Sequence, residues 1–325
     1  MMLGVIGAGA WGTALAQVAA STGEPVLLWA REPEVVDAIN TTHENTLYLK
    51  SVPLSPAIVA TGDLGRLEAC DVLMAVVPSQ HLRPVLRAAP VGDRPLILCA
   101  KGIEAGTRML MSEVAQQICP AAPLAVLSGP SFAHEVAAGL PTALTLASRD
   151  GARATALSRR IARPHFRPYL SDDVIGAEIG GAVKNVLAIA CGVVEGRGLG
   201  QNARAALIAR GFAEMTRFGV AKGGSPETLA GLSGLGDLVL TCSSTASRNF
   251  SLGKGLGEGA SATSLLSGRL TVAEGAATAP VLLDAARALG VEMPIVEAVC
   301  ALLSGDSPVE EVVASLLSRP LRAER

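Results

Sequence analysis

The stretch Gly7-Ala8-Gly9-Ala10-Trp11-Gly12 stands directly behind the apolar run Leu3-Gly4-Val5-Ile6 and directly before Thr13-Ala14-Leu15-Ala16-Gln17-Val18-Ala19-Ala20. The glycine spacing by itself occurs by chance in glycine-rich chains, and this chain holds 35 glycines. Between a strand-like run and a helix-like run it reads instead as a dinucleotide-binding turn. Gly7 allows the tight turn, Gly9 lets a pyrophosphate approach the backbone, and Gly12 lets the helix pack closely on the strand. The free amides and dipole of the helix N-terminus then face the phosphate charge. The expected ligand is a nicotinamide or flavin nucleotide.

Working outward, the chain alternates short β-like runs with longer helix-like ones. Strands are expected at Leu3–Ile6, Val26–Trp29, Ile58–Ala60, Val72–Val77, Leu96–Cys99, Leu124–Leu127, Ala143–Leu146 and Phe166–Tyr169. Helices are expected between them at Glu32–Asn40, Gln80–Ala88, Thr107–Ile118 and Ala152–Ala162. Strands that are continuously rather than alternately apolar suit a parallel sheet covered on both faces. The fold class is therefore α/β, with an N-terminal doubly wound (Rossmann) sheet domain. After about residue 172 helical periodicity takes over, in Asn202–Phe218, Ala276–Leu289, Ile295–Leu303 and Val309–Leu317. The last is expected to open on a capping box, Ser307-Pro308-Val309-Glu310. The expected division is 1–172, a dinucleotide-binding domain, and 173–325, an all-helical substrate-binding and catalytic domain.

The totals narrow the function classes. Of 325 residues 50% are apolar and 17% charged, which allows a large buried core. A formal net charge of −2, with scattered Lys and Arg, argues against nucleic-acid binding. Cys70, Cys99, Cys119, Cys191, Cys242 and Cys300 form no C-x-x-C pair and mostly sit in apolar runs, as reduced core residues do. The four histidines lack ligand spacing, so no metal site is expected. The longest uncharged stretch, Gln116 to Ala133, is broken by Pro120, Pro123, Gly129 and Pro130 and cannot insert in a membrane as a helix. No signal peptide is expected ahead of the first strand, and the expected location is the cytoplasm.

At the adenosine end an NAD site usually carries an acid about 20 residues past the glycines, on the ribose hydroxyls. Here Arg31 stands near that place, with Glu32 behind it. A guanidinium pairs well with a 2′-phosphate, which favours NADP(H) with NAD(H) use left open. The competing reading has Arg31 in solvent and Glu32 on the ribose.

At the chemistry end, Lys101 follows the strand Leu96–Cys99, at the carboxyl edge where doubly wound sheets bind ligands. Lys184 lies in the apolar helix Glu178–Ala190, with Gly180 and Gly181 at i−4 and i−3. Each glycine costs about 1 kcal/mol in a helix interior, so a backbone or a ligand must pack closely there. Desolvation, and a second cation such as Lys101, would lower the pKa of Lys184 and suit it to proton transfer. A lysine that snorkels to solvent is the plainer alternative. Asp237 is a lone acid in a glycine-rich apolar stretch, either functional or a helix cap. Ser247-Arg248-Asn249 makes either an anion clamp at a helix start or a capped surface helix.

These pieces, in this order, closely resemble the bacterial NAD(P)-dependent glycerol-3-phosphate dehydrogenases. The matching segments are GAGAWGTALA, AVVPS at 75–79, KGIE at 101–104, LSGPSFAHEVAAGLPTA at 127–143 and GGAVKNVLAIACG at 180–192. NARAALIARGFAEM at 202–215, GLGDLVLTC and SRN within 234–249, and VEMPI at 291–295 complete the set. The resemblance spans essentially the whole chain. It implies proton transfer by Lys184 and substrate contacts at Lys101, Gly129, Ser131, Lys184, Asp237, Ser247, Arg248 and Asn249. It implies dinucleotide contacts at Gly7, Gly9, Ala10, Trp11, Gly12, Arg31, Lys101, Ala133 and Arg248, with Val272 and Glu274 closing over the cofactor. Ala10 stands where the family often has Ser, which removes one hydroxyl contact, and Val272-Ala273-Glu274-Gly275 departs slightly from the family's valine-rich version. The implied reaction reduces dihydroxyacetone phosphate to sn-glycerol 3-phosphate with NADPH preferred, in a homodimer that feeds phospholipid synthesis. The alternatives are a β-hydroxyacid-type dehydrogenase acting on a carboxylate, and a nucleotide-binding regulator without turnover.

Overall fold

The computed structural model describes residues 2–267 and 273–318. An eight-stranded sheet runs β1 (Leu3–Ile6), β2 (Val26–Trp29), β3 (Ile58–Thr61), β4 (Val72–Ala75), β5 (Leu96–Leu98), β6 (Leu124–Ser128), β7 (Thr142–Ala147) and β8 (Phe166–Ser171). Its order is β3-β2-β1-β4-β5-β6-β7-β8. The chain reverses between β1 and β4, and the glycine turn leaves β1 at that switch point, where doubly wound sheets open a crevice.

Helices α1 (Ala10–Ala20), α2 (Pro33–Thr42), α3 (Leu82–Ala88), α4 (Met111–Ile118), α5 (Ala133–Ala137) and α6 (Gly151–Ile161) accompany the strands. They build two apolar layers. Leu15, Ile39, Val136 and Leu157 cover one face of the sheet, and Leu82, Leu86, Val114 and Ala177 the other. Burial on both faces is why the central strands read as unbroken apolar runs. One pairing departs from the all-parallel pattern: β7 lies antiparallel to β6, with β8 parallel to β7. The five-residue α5 packs on α1, and an antiparallel neighbour needs no long crossover.

From Val174 onward only helices follow among the described residues: α7 (Val174–Gly196), α8 (Gly200–Ala221), α9 (Pro226–Ala230), α10 (Asp237–Thr241), α11 (Arg248–Gly257), α12 (Ala262–Leu266), α13 (Glu274–Ala288), α14 (Pro294–Ser304) and α15 (Val309–Leu317). Two local expectations shift. The helix expected from Thr107 begins at Met111, because Arg108 takes a left-handed φ of 61° and the Thr107 hydroxyl donates to Glu104 at 2.6 Å. The capping box at Ser307 does not form. Pro308 itself is the N-cap, in an extended conformation, and no side chain caps α15.

Helix α7 is the axis of the helical part. It is the one described helix long and apolar enough to cross a membrane, yet 94% of its apolar window is buried inside the protein. Asp173 caps its start, accepting the Gly176 amide at 2.8 Å. Its far half meets α11 backbone to backbone. A Cβ on Gly192 would lie 2.1 Å from the Phe250 carbonyl oxygen, and one on Gly253 would lie 1.9 Å from that of Ile189. Gly196 and Gly257 repeat the contact one turn on. Such an approach tolerates hydrogen and nothing larger.

Gly253→Ala is therefore expected to destabilise the fold by about 1–3 kcal/mol, the range for overpacking a tight interior, despite the better helix propensity of alanine. Urea unfolding of the variant beside the parent protein measures it, and an unchanged midpoint would contradict this packing.

Candidate active site

Three elements bring the chemistry-bearing side chains together. Lys101 follows β5, Lys184 lies midway along α7, and Asp237 opens α10 after a π-helical turn at Leu232–Gly236. Lys101 Nζ donates to Asp237 Oδ2 at 2.6 Å, and Lys184 Nζ donates to Oδ1 of the same carboxylate at 2.7 Å. Lys184 also donates to Thr241 Oγ1 at 2.9 Å, and Lys101 to the Gly129 carbonyl at 3.3 Å. Asp237 is wholly buried and Lys184 nearly so, at 8% exposure. Two ammonium groups thus share one carboxylate out of water.

The glycines before Lys184 now have their reason. A Cβ on Gly180 would stand 2.2 Å from the Ser233 carbonyl oxygen, and one on Gly181 would stand 2.9 Å from Ser128 Oγ and 3.2 Å from Lys101 Cγ. The helix face is therefore filled rather than bare: the π-helical turn occupies one side and the Lys101 stem the other. The same approach delivers Asp237 and Lys101 to Lys184. Lys184 does not snorkel.

Burial is the largest influence on the Lys184 amine and lowers its pKa to about 8. Asp237 opposes that shift, while Lys101 adds to it. Desolvation thus outweighs the ion pair, leaving a lysine that exchanges its proton near neutral pH. Glu274, at the start of α13, belongs to the same charge cluster. Burial raises its carboxyl pKa, against the pull of Arg248, Lys101 and Lys184.

Ser247, Arg248 and Asn249 lie at the start of α11, beside α7. Ser247 is the N-cap, its Oγ accepting the Phe250 amide at 3.3 Å. Asn249 donates to Asn185 Oδ1 at 3.0 Å and accepts the Gly275 amide at 2.9 Å, so it joins α7, α11 and α13. Arg248 is exposed and is the first residue of α11. Gly129 adopts φ 148°, where a Cβ would strike Leu144 Cα at 2.9 Å, and Ser131 Oγ donates to its carbonyl at 3.0 Å. Asn185 and Thr241 escaped the reading of the residues. The available signals were Asn185 adjoining Lys184 and Thr241 standing one helical turn beyond Asp237.

At the glycine turn, Gly7 has φ 114°, and a Cβ on Gly12 would meet the Gly7 carbonyl oxygen at 1.8 Å. A Cβ on Gly9 would meet nothing within 4 Å, so this turn is open where a pyrophosphate would lie. Helix α1 begins with Ala10 and Trp11 and has no side-chain cap, and the buried Trp11 Nε1 has no hydrogen-bond partner. Ala133, at the start of α5, packs on the same apolar layer as Ala10 and Trp11. These features fit a bound dinucleotide. Arg31 is 75% exposed along its side chain and ion-paired with Glu32 at 2.7 Å. Val272 lies outside the described residues.

Comparison with known proteins gives the family. Family models described as NAD-dependent glycerol-3-phosphate dehydrogenase N-terminus and C-terminus match residues 2–154 and 173–314. A protein of Novosphingobium aromaticivorans named glycerol-3-phosphate dehydrogenase (NAD(P)+) is 65% identical over 323 residues, 99% of this chain and 98% of its own. One of Erythrobacter litoralis with the same name is 62% identical over 322 residues, 99% of this chain and 97% of its own. The crystal structure of glycerol-3-phosphate dehydrogenase from Coxiella burnetii superposes with a TM-score of 0.93 at 40% identity, covering 98% of this chain and 99% of the other.

Removing the shared carboxylate leaves the buried Lys184 ammonium facing the partly buried one of Lys101. Asp237→Asn is expected to lower the unfolding free energy by about 3–5 kcal/mol, the range for breaking a buried pair from one side. It should also move the Lys184 amine below its value of about 8. Denaturant titration and NMR of the lysine side chains against pH read the two effects.

Proposed function

The chain belongs to the NAD-dependent glycerol-3-phosphate dehydrogenases, and on that premise we propose how its residues divide the work of reducing dihydroxyacetone phosphate to sn-glycerol 3-phosphate. The observation that carries the assignment is the buried Lys184, bonded to Asp237 and Thr241 and poised near pH 8. The nicotinamide, when bound, supplies or accepts the hydride. In reduction Lys184 is an ammonium and gives a proton to the carbonyl oxygen of the substrate. In oxidation neutral Lys184 takes the hydroxyl proton. A lysine of ordinary pKa would hold its proton too tightly for the second role.

Asp237 orients Lys184 and keeps the two ammonium groups from repelling each other. Lys101, Gly129 and Ser131 contact substrate from the sheet side, and Ser247, Arg248 and Asn249 from the start of α11. There the Arg248 guanidinium and the helix N-terminus together suit a phosphate dianion. Gly7, Gly9, Ala10, Trp11 and Gly12 receive the pyrophosphate of the cofactor. Lys101, Ala133, Arg248 and Glu274 line the rest of its length. Arg31 meets the 2′-phosphate, which makes NADPH preferred and NADH an alternative. The same reading places the enzyme in the cytoplasm as a homodimer that supplies phospholipid synthesis, needs no metal, and divides between sheet and helical domains at 172/173.

Lys184→Ala is expected to lower turnover by on the order of 10²-fold or more while NADPH still binds. Nicotinamide absorbance in both directions also reads the pH dependence. Oxidation of glycerol 3-phosphate should rise with pH through about 8 as Lys184 loses its proton, and reduction of dihydroxyacetone phosphate should fall above it. Near-normal turnover in the variant, or parallel profiles in the two directions, would sink the assignment.

A further inference from the structure

Residues 43–55, between α2 and β3, are tied back beneath the glycine turn. Asn45 is fully buried and donates both to the Ala8 carbonyl at 2.9 Å and to Thr13 Oγ1 at 2.8 Å. Its own Oδ1 accepts the Tyr48 amide at 3.0 Å. Farther along, the Leu54 amide donates to the His43 carbonyl at 2.8 Å, and the Ser55 amide to Gln17 Oε1 of α1 at 2.8 Å. The segment is thereby anchored to the turn and the helix that face a pyrophosphate.

From this anchored segment Tyr48 reaches the adenosine end. Its hydroxyl donates to Glu32 Oε1 at 3.2 Å. The same oxygen accepts Arg31 Nε at 3.1 Å and Arg31 NH2 at 2.7 Å. Three donors converge on one carboxylate oxygen. Burial, and then the neighbouring Glu32 carboxylate, raise the Tyr48 phenol above its ordinary pKa and keep it a donor. Glu32 side-chain exposure is 21% against 75% for Arg31, so the carboxylate is the more enclosed member of the pair and the guanidinium the one that faces solvent.

This arrangement bears on a chain that carries both determinants of dinucleotide choice side by side. A carboxylate near the end of the second strand accepts the ribose 2′-hydroxyl of NADH and repels a 2′-phosphate, whereas a guanidinium does the reverse. With Arg31 and Glu32 adjacent, the outcome depends on whether the carboxylate is restrained. We propose, resting on the reading of Arg31 as the 2′-phosphate contact, that Tyr48 is a positioning residue that sets NADPH-over-NADH selectivity by holding Glu32 against Arg31. Held there, the carboxylate is charge-compensated and is not free to turn to a ribose hydroxyl. Asn45 carries the restraint back to the glycine turn, so the adenosine end and the pyrophosphate end are aligned by one segment.

The experiment measures kcat and KM for NADPH and NADH, at saturating dihydroxyacetone phosphate, in the parent enzyme and in Tyr48→Phe, Glu32→Gln and Arg31→Ala. Tyr48→Phe is expected to lower the NADPH-to-NADH ratio of kcat/KM by roughly three- to tenfold, the size of one hydrogen bond, with kcat at saturating NADPH unchanged. Glu32→Gln should move the ratio the other way, since it removes the repelling charge and releases Arg31. A ratio in Tyr48→Phe within twofold of the parent overturns the proposal, as does an equal loss with both cofactors, which marks a merely structural residue. Arg31→Ala separates the two layers. If it collapses the ratio while Tyr48→Phe does not, only the role of Tyr48 fails. If it leaves the ratio unchanged, the 2′-phosphate reading fails and the proposal with it.

Discussion

Helix α7 lets other backbones touch it, and the helical half of the protein is arranged around that fact. Gly180 admits the Ser233–Gly234 turn, Gly181 the stem of Lys101, and Gly192 and Gly196 the backbone of α11. Each glycine gives up about 1 kcal/mol of helix propensity. The loss is offset because close approach removes water from a long apolar helix and multiplies dispersion contacts along it. Side chains at those positions would hold α10 and α11 farther off, and the charged groups of the site would no longer meet.

The charge cluster follows from this packing. Asp237 is brought up to Lys184 by a turn lying on Gly180, and Lys101 reaches the same carboxylate by lying on Gly181. Burying a carboxylate and an ammonium, with a second ammonium partly buried beside them, is costly, and each partner is tolerated because every oxygen and nitrogen involved has a hydrogen-bond partner. Lys184 is held in an environment that disfavours its charge, so a change in protonation there costs little near neutral pH.

The sheet half supplies the complementary part. Its switch point opens the cleft at the glycine turn, and the carboxyl ends of β5 and β6 place Lys101 and Gly129 toward α7. Asn249 reaches across from α11 to Asn185 and to the start of α13, so the starts of α11 and α13 and the middle of α7 are joined through one side chain. The helices that carry Lys184, Arg248 and Glu274 therefore share a single set of contacts.

The apolar strands were legible in the chain because their signals are local. Continuous apolar runs placed β1 and β2 residue for residue, and the glycine turn announced its own geometry. Lys184 and its glycines were visible as an anomaly in an apolar helix, yet the residues alone left a snorkelling lysine equally open. The family resemblance implied the role, and the tertiary structure shows a buried amine bonded to Asp237 and Thr241. Thr241 and Asn185 were missed because each acquires meaning from a partner more than 50 residues away. The antiparallel β7 and the late start of α4 were missed because they depend on a connection's path and on one left-handed residue. The sequence by itself determined the periodic elements, the dinucleotide turn and the inventory of reactive groups, all of which are set by neighbours along the chain. The tertiary structure decided which groups share a carboxylate, which glycines admit a backbone, and how far burial shifts a lysine, because desolvation and Coulomb energy depend on distances in space.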